Sequence, residues 1–236
     1  MRPALKVLDG QSYDVIVIGA GAVGCSSAQH LAALGYKVLL LDKSDIASGT
    51  SSRSSRLLYC GLAYFSPDFP LWQYILHPRE LFQRVKTARL AMKCRTELVK
   101  TMPERLRHAT FFFPVFRGGA FPGWKVDLGY RALGLFGSRD APLAYRRVSA
   151  EKAAEEFPLI RFMDRTRLTS TAVFREYSYF WPERILSDTA LDAERLGATL
   201  RTYCAVRNLQ HDKDTGWTLD LEESAPGQNG TAQVSD

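Results

Sequence analysis

The sequence predicts an α/β fold built on a parallel sheet. Three observations predict it. Val15 to Ile18 is an unbroken apolar run, and Val38 to Leu41 is another. Val, Ile and Leu without alternation suit strands buried on both faces of such a sheet. Between the runs lie Gly19, Gly21 and Gly24 and a helix-like stretch, Ala22 to Leu34, that stops at Gly35. Parallel neighbours need a crossover of this kind.

Each part of this unit has a physical role. Gly19 allows the tight turn out of the first strand. Gly21 has no Cβ, so a pyrophosphate can approach the backbone, and Gly24 lets the helix pack closely on the strand. Ala20, Ala22 and Val23 fill the turn between them. The first helical N–H groups and the positive dipole end face the phosphates. Asp42, with Lys43 after it, ends the second run. It lies about 20 residues beyond the glycines, where a carboxylate can accept from a ribose hydroxyl. Strand, glycines, helix, strand and acid follow in order within about 30 residues, as a Rossmann-like dinucleotide-binding unit requires. The competing reading is an incidental glycine-rich turn.

The chain has 236 residues, enough for one large domain or two small ones. Its 46% hydrophobic and 24% charged composition can bury a core without staples. The formal net charge of +6 is spread along the chain and reads as a solvated basic surface; attraction to an anionic substrate or lipid surface is the alternative. No nucleic-acid module is present. Cys25, Cys60, Cys94 and Cys204 are far apart and form no CxxC, so neither a disulfide framework nor a metal site is expected. Reduced thiols point to a cytoplasmic compartment. The N-terminus has no apolar signal core. Val15 to Tyr36 is uncharged, but glycines and His30 interrupt it, so it is not read as a membrane span.

After Asp42 comes a run of small hydroxyl residues, Ser48 to Ser55, ending in the apolar RLLYCGLAYF. The hydroxyls of Thr50, Ser51, Ser52, Ser54 and Ser55 either cap a helix starting near Ser52 to Ser55 or bond a polar ligand. A plain linker has no reason to end in an apolar run, so a ligand-lining loop and helix is the favoured reading.

Residues 77–106 read as a helix with Leu81, Val85, Ala88, Met92 and Leu98 at helical spacing, its Arg and Lys positions forming a solvated face. Phe111 to Trp124 reads as core under a loop, or else as an apolar surface meeting membrane or quinone. Residues 125–137 look helical. Residues 142–157 form a loop and short helix with Ser149 as N-cap. Thr171 to Trp181 is a strand walling a substrate cavity, with Tyr177 and Tyr179 on one face. Pro182 to Leu196 is a helix stopped by Gly197. Thr199 to Val206 and Trp217 to Leu221 are strands, and the polar residues 223–236 are expected to be disordered.

The segment GTSSRSSRLLYCGLAYF resembles a signature of FAD-dependent glycerol-3-phosphate dehydrogenases, within the broader class of D-amino-acid-oxidase-like flavin oxidoreductases. The matches are Thr50, Ser51, Ser52, Ser54, Ser55, Leu57, Gly61, Leu62 and Tyr64, with Arg56 in place of lysine. The segments His77 to Arg147 and Val173 to Val206 are similar to the family in order and spacing. The resemblance implies a Rossmann-like FAD-binding domain with a parallel sheet, plus part of an α+β substrate (cap) domain. The implied division is residues 1–76 for the FAD-binding unit and flavin loop. A mainly helical insertion then covers 77–170, and substrate-side and return elements 171–222. It implies FAD as cofactor, held by Gly19, Ala20, Gly21, Ala22, Val23, Gly24, Asp42 and Lys43. The flavin side would fall to Thr50, Ser51, Ser52, Ser54, Ser55, Arg56 and Leu57, and the adenine end to the backbone near Val206. Tyr59 and Tyr64 are the expected substrate-side contacts. The implied reaction is oxidation of sn-glycerol 3-phosphate to dihydroxyacetone phosphate, with electrons passing to quinone. A small-molecule substrate, a homodimer, and a cytoplasmic location, peripheral on an inner membrane, complete the expectation.

Tyr59, Cys60 and Ala63 stand where the family has histidine, glycine and arginine. Family members are longer, their later half bringing a second glycine-rich segment over the flavin. The expectation is therefore a fragment with a half-built flavin site, the alternative being a shortened member that works with a partner chain. Three readings follow: a glycerol-3-phosphate-type dehydrogenase, a flavoprotein acting on an amine or another hydroxy acid, and an inactive dinucleotide-binding remnant. Nicotinamide dinucleotide binding would satisfy the glycines alone, but not the serine run after Asp42.

Overall fold

The computed structural model describes residues 3–60, 76–137, 140–225 and 227–236. The chain forms two compact units, Met1–Ser55 with Trp181–Asp236, and Arg56–Phe180. The boundary falls inside the serine-rich signature, and the division differs from the one drawn by sequence.

The first unit contains the expected parallel sheet. Strand β2 (Val15–Ile18) leads into helix α1 (Ala22–Ala33), which returns to β3 (Val38–Leu41). The register pairs Val15 with Val38 and Ile18 with Leu41. The third strand is β8 (Thr199–Arg201), parallel to β3. Every residue of β3 is 0% exposed, which accounts for its unbroken apolar sequence. Val38 and Leu40 pack with Ala28 and Ala32 of α1 and with Leu186, Ala190 and Ala193 of helix α5 (Pro182–Arg195). Leu39 and Leu41 face the other way, into a core with Tyr13, Leu219, Leu221 and Val234.

That second core belongs to a four-stranded sheet, ordered β1 (Gln11–Ser12), β11 (Thr231–Ser235), β10 (Gly216–Glu223), β9 (Cys204–Asp212). It brings two corrections. The tail from residue 223, expected to be disordered, carries β11, paired antiparallel to β10 and parallel to β1. Ala232 and Val234 alternate inward among polar residues, so the polar composition hid a period-two strand. The strand expected from Thr199 to Val206 is two strands in two sheets. Tyr203 breaks it with a left-handed φ of 49°, and its N–H donates to Ser44 O at 2.9 Å. Arg201, also buried, donates to Glu223 Oε2 at 2.6 Å and to Pro3 O at 2.7 Å, tying β8 to β10 and to the N-terminus.

The second unit is a sheet ordered β4 (Leu57–Leu58), β7 (Leu168–Tyr179), β5 (Leu106–Phe116), with β6 (Arg146–Ser149) also on β7. The aromatic run from Phe111 is therefore strand rather than loop. Phe113 packs toward helices α2 (Pro78–Thr101) and α3 (Gly123–Phe136). Phe112 and Phe116 pack on the other face, with Phe157 after helix α4 (Ala150–Glu156). Ser149 caps α4, its Oγ accepting from Lys152 N at 3.3 Å. Among the described residues, no helix is long and apolar enough to cross a membrane.

The arginines of α2 do not all lie on a solvated face. Arg95 is 0% exposed. It donates to Ala141 O and, at 3.1 Å, to Arg175 O. Its Nε lies 3.7 Å from Glu176 Oε2. Burial pushes the Glu176 carboxyl up and the Arg95 guanidinium down, each toward its neutral form. A raised acid contributes stability that is complete below its unfolded value and is lost as pH rises through the folded one. The wild-type chain should therefore lose stability relative to Glu176→Gln as pH rises above the ordinary carboxylate range. Urea midpoints at several pH values measure this, and parallel curves for the two proteins would contradict it.

Candidate functional site

The glycine turn is closed by backbone contacts that explain its residues. Gly19 has φ +107°, a conformation L side chains rarely adopt. Its N–H donates to Leu41 O at 2.7 Å. A Cβ on Gly24 would lie 1.8 Å from Gly19 O, so α1 can sit this close to β2 only with glycine there. A Cβ on Gly21 would meet only Ser51 Oγ, at 3.2 Å. That position is therefore open except for a movable hydroxyl.

Asp42 braces the turn. Its Oδ2 accepts from Ala20 N at 2.7 Å and its Oδ1 from Ser44 N at 2.8 Å. Its own carbonyl accepts from Cys204 N at 2.8 Å. The sequence reading gave this carboxylate only to a ribose. The structure adds a local role, and each oxygen keeps a further lone pair for a ligand hydroxyl. Cys25 lies beneath the turn, its thiol donating to Ala20 O at 3.3 Å. Burial, followed by the Asp42 charge, pushes that thiol up to about 11, so it stays protonated and inert.

The serine run approaches the same turn. Ser51 Oγ accepts from Ala22 N, the first residue of α1, at 3.0 Å. Residues 45–54 are turns and bends, with no helix near Ser52 to Ser55. A hydroxyl of the run does cap a helix, but it is α1, across the fold. Ser52 Oγ donates back to Gly49 O at 3.0 Å. Thr50, Ser54 and Ser55 are exposed, as are Lys43, Ala22 and Val23. Thus Gly19, Ala20, Gly21, Ala22, Gly24, Asp42 and Ser51 converge on one crevice at the carboxyl ends of β2 and β3. Its open Gly21 face and helix N-terminus fit a diphosphate, with Ser51 Oγ already at the first free N–H. Val206 lies on β9 opposite Leu221, two residues beyond Cys204, whose N–H donates to Asp42 O. Ser44 and Tyr203 serve the crevice through backbone bonds, for which their residue types carry no signal.

The rest of the signature belongs to the second unit. Arg56 has φ 59°, and its carbonyl accepts from Tyr179 N at 2.7 Å. Leu57 and Leu58 pair with Ser178 and Tyr177 on β7. Tyr59 is 56% exposed. Cys60 N donates to Glu176 Oε1 at 3.0 Å, so the buried Arg95–Glu176 pair anchors the residue next to Tyr59. Tyr64 lies outside the described residues.

Residues 14–234 match the family described as DAO, FAD dependent oxidoreductase. A glycerol-3-phosphate dehydrogenase from Synechocystis is 28% identical over 204 residues, covering 86% of this chain and 34% of that protein. D-erythritol 1-phosphate dehydrogenase from Brucella abortus is 27% identical over 223 residues, covering 94% and 39%. Among solved structures, glycerol-3-phosphate dehydrogenase from Bacillus halodurans, complexed with FAD, superposes with a TM-score of 0.63 at 17% identity. That superposition covers 97% of this chain and 34% of that one, a likeness of fold. The chain spans between a third and two-fifths of the length of these relatives. With its glycine turn, Asp42 brace and parallel sheet in place, the chain belongs to the FAD-dependent oxidoreductase family.

Proposed function

We propose that this chain forms the ADP-binding part, and the start of the substrate side, of a dehydrogenase that oxidises a secondary alcohol of a phosphorylated polyol. The specific reaction is sn-glycerol 3-phosphate to dihydroxyacetone phosphate, with electrons passing on to a quinone. The crevice of Gly19, Gly21, Gly24, Asp42 and Ser51 carries the cofactor reading. The two relatives named for phosphorylated polyols support the substrate class.

FAD supplies the hydride acceptor for the carbinol carbon. The chain's own residues bind and orient. Gly21 lets diphosphate oxygens reach the backbone N–H groups at the start of α1. The Ser51 hydroxyl turns from acceptor of Ala22 N–H to donor toward a phosphate oxygen, releasing that N–H to the same anion. Asp42 takes a ribose hydroxyl through its remaining lone pairs while still holding Ala20. The exposed Tyr59 phenol is the substrate-side donor.

Two expected outcomes follow from this arrangement. Asp42→Ala removes charged hydrogen bonds worth about 1.5–3 kcal/mol each, so both thermal stability and FAD affinity should fall. Unchanged affinity in a fluorescence titration would remove the ribose role. Ser51→Ala leaves Ala22 N uncapped, at about 0.5–2 kcal/mol, and should also weaken FAD. The substrate reading is tested anaerobically on the FAD-loaded chain. Glycerol 3-phosphate should bleach the visible flavin band. Bleaching by an amino or 2-hydroxy acid, with none by glycerol 3-phosphate, would replace it with another substrate class.

A further inference from the structure

The second unit holds a cavity of about 820 Å³ that the cofactor reading does not use. One wall is α3, with Asp127, Tyr130, Arg131 and Gly134; the other is the segment from Ala141 to Ser149, and Ser170 of β7 is also in the lining. This volume suits a small organic molecule.

The register settles which side chains face it. Ser149 opposes Ser170 and Arg147 opposes Ala172. By strand alternation Arg147, Ser149, Ser170 and Ala172 share one face, and Ala172 lies in the core under α2 and α3. Arg146 points to the other face, where it pairs with Glu156. Arg146 is also in the lining but is held by Glu156, and Arg147 and Arg131 are the cavity's other cationic side chains.

Asp127 holds Arg147. It takes Arg147 through two contacts, Nε to Oδ1 at 3.1 Å and Nη2 to Oδ2 at 2.8 Å. It also accepts from Tyr145 Oη at 2.5 Å. One carboxylate against two guanidiniums leaves the cavity net positive. Gly123 begins α3, and a Cβ there would lie 2.4 Å from Arg147 Nη1. The guanidinium is thus held against a helix N-terminus, which adds to the positive potential. Ser170 Oγ is buried and has no hydrogen-bond partner among the described residues. An unpaired buried hydroxyl is costly, and a ligand oxygen would relieve it. Tyr145 is half-buried and stacks on the buried Tyr130, ring centroids 4.6 Å apart, so the Tyr145 ring is the flat apolar side. On Gly134 a Cβ would meet nothing within 4 Å.

We propose that this cavity binds a small organic anion, its oxyanion head between Arg131, Arg147 and Ser170 and its apolar body along Tyr145. The site is separate from the glycine crevice in residues and chemistry.

Phenyl phosphate and benzoate are the probes, titrated into the full chain by calorimetry and by ligand-observed NMR. At least one should bind, and the stronger of the two identifies the head group. Arg131→Met should weaken that probe about tenfold or more, and Ser170→Ala severalfold. Gly134→Leu should fill the cavity and abolish probe binding without lowering Tm. FAD binding should be unchanged in all three variants, which keeps this site distinguishable from the cofactor site. Failure of both probes to bind the wild-type chain would overturn the proposal. So would binding that survives Gly134→Leu.

Discussion

Gly24→Ala is expected to disrupt the first unit and to abolish FAD binding. The added carbon would lie 1.8 Å from Gly19 O and 3.0 Å from Gly19 C. Both are backbone atoms, so no side chain can move aside to make room. Helix α1 would have to lift from β2, loosening its packing with α5 and the Asp42–Ala20 contact. Overpacking of this kind costs about 1–3 kcal/mol and occasionally more, and backbone on backbone belongs at the upper end. Gly21→Ala is the matched comparison. Its Cβ meets only the Ser51 hydroxyl, and Gly21 already has an ordinary φ of −84°. It should keep its Tm within a few degrees while losing FAD affinity. Circular dichroism melts and flavin titrations of both variants separate the two roles. A Gly24→Ala chain with wild-type Tm and affinity would refute the close-packing account.

Arg95→Ala should be the most damaging substitution in the second unit. It removes the donors to Ala141 O and Arg175 O and the cation stacked 4.8 Å from the Tyr177 ring centroid. It also leaves Glu176 as a buried carboxylate without its cation. Breaking one side of a buried pair costs about 3–5 kcal/mol. Adding Glu176→Gln to Arg95→Ala should recover much of that loss, because the uncompensated charge goes while an oxygen remains for Cys60 N. Denaturant midpoints of the two single variants and the double variant measure this coupling. Additive losses would mean that the pair is not the anchor for Cys60 and the strand leading to Tyr59.

The first unit was legible where sequence and backbone demand coincide. Gly19 and Gly24 are required by φ and by close packing, and β3 is apolar throughout because both its faces are covered. The tail strand was not legible, since only Ala232 and Val234 of β11 face inward. The break at Tyr203 was equally hidden, because a left-handed φ at tyrosine has no sequence mark. Residue type alone puts Arg95 on the solvated face of α2. Its spacing from Ala88 and Met92 places it on the buried face of α2, and that periodicity was a usable signal. For the crevice, the residues were legible but their present partners were not. Asp42 holds Ala20, and Ser51 caps α1 from 29 residues away, a contact only the fold creates.

The crevice of Gly19, Gly21, Asp42 and Ser51 is proposed to hold the diphosphate and ribose of FAD. An equilibrium titration of FAD into the purified wild-type chain and into Gly21→Ala tests it most directly, followed by quenching of flavin fluorescence. Saturable binding to the wild type, weakened tenfold or more in a Gly21→Ala chain of unchanged Tm, is the expected result. Equal affinity in the two proteins, or no saturable binding to the wild type, would contradict it.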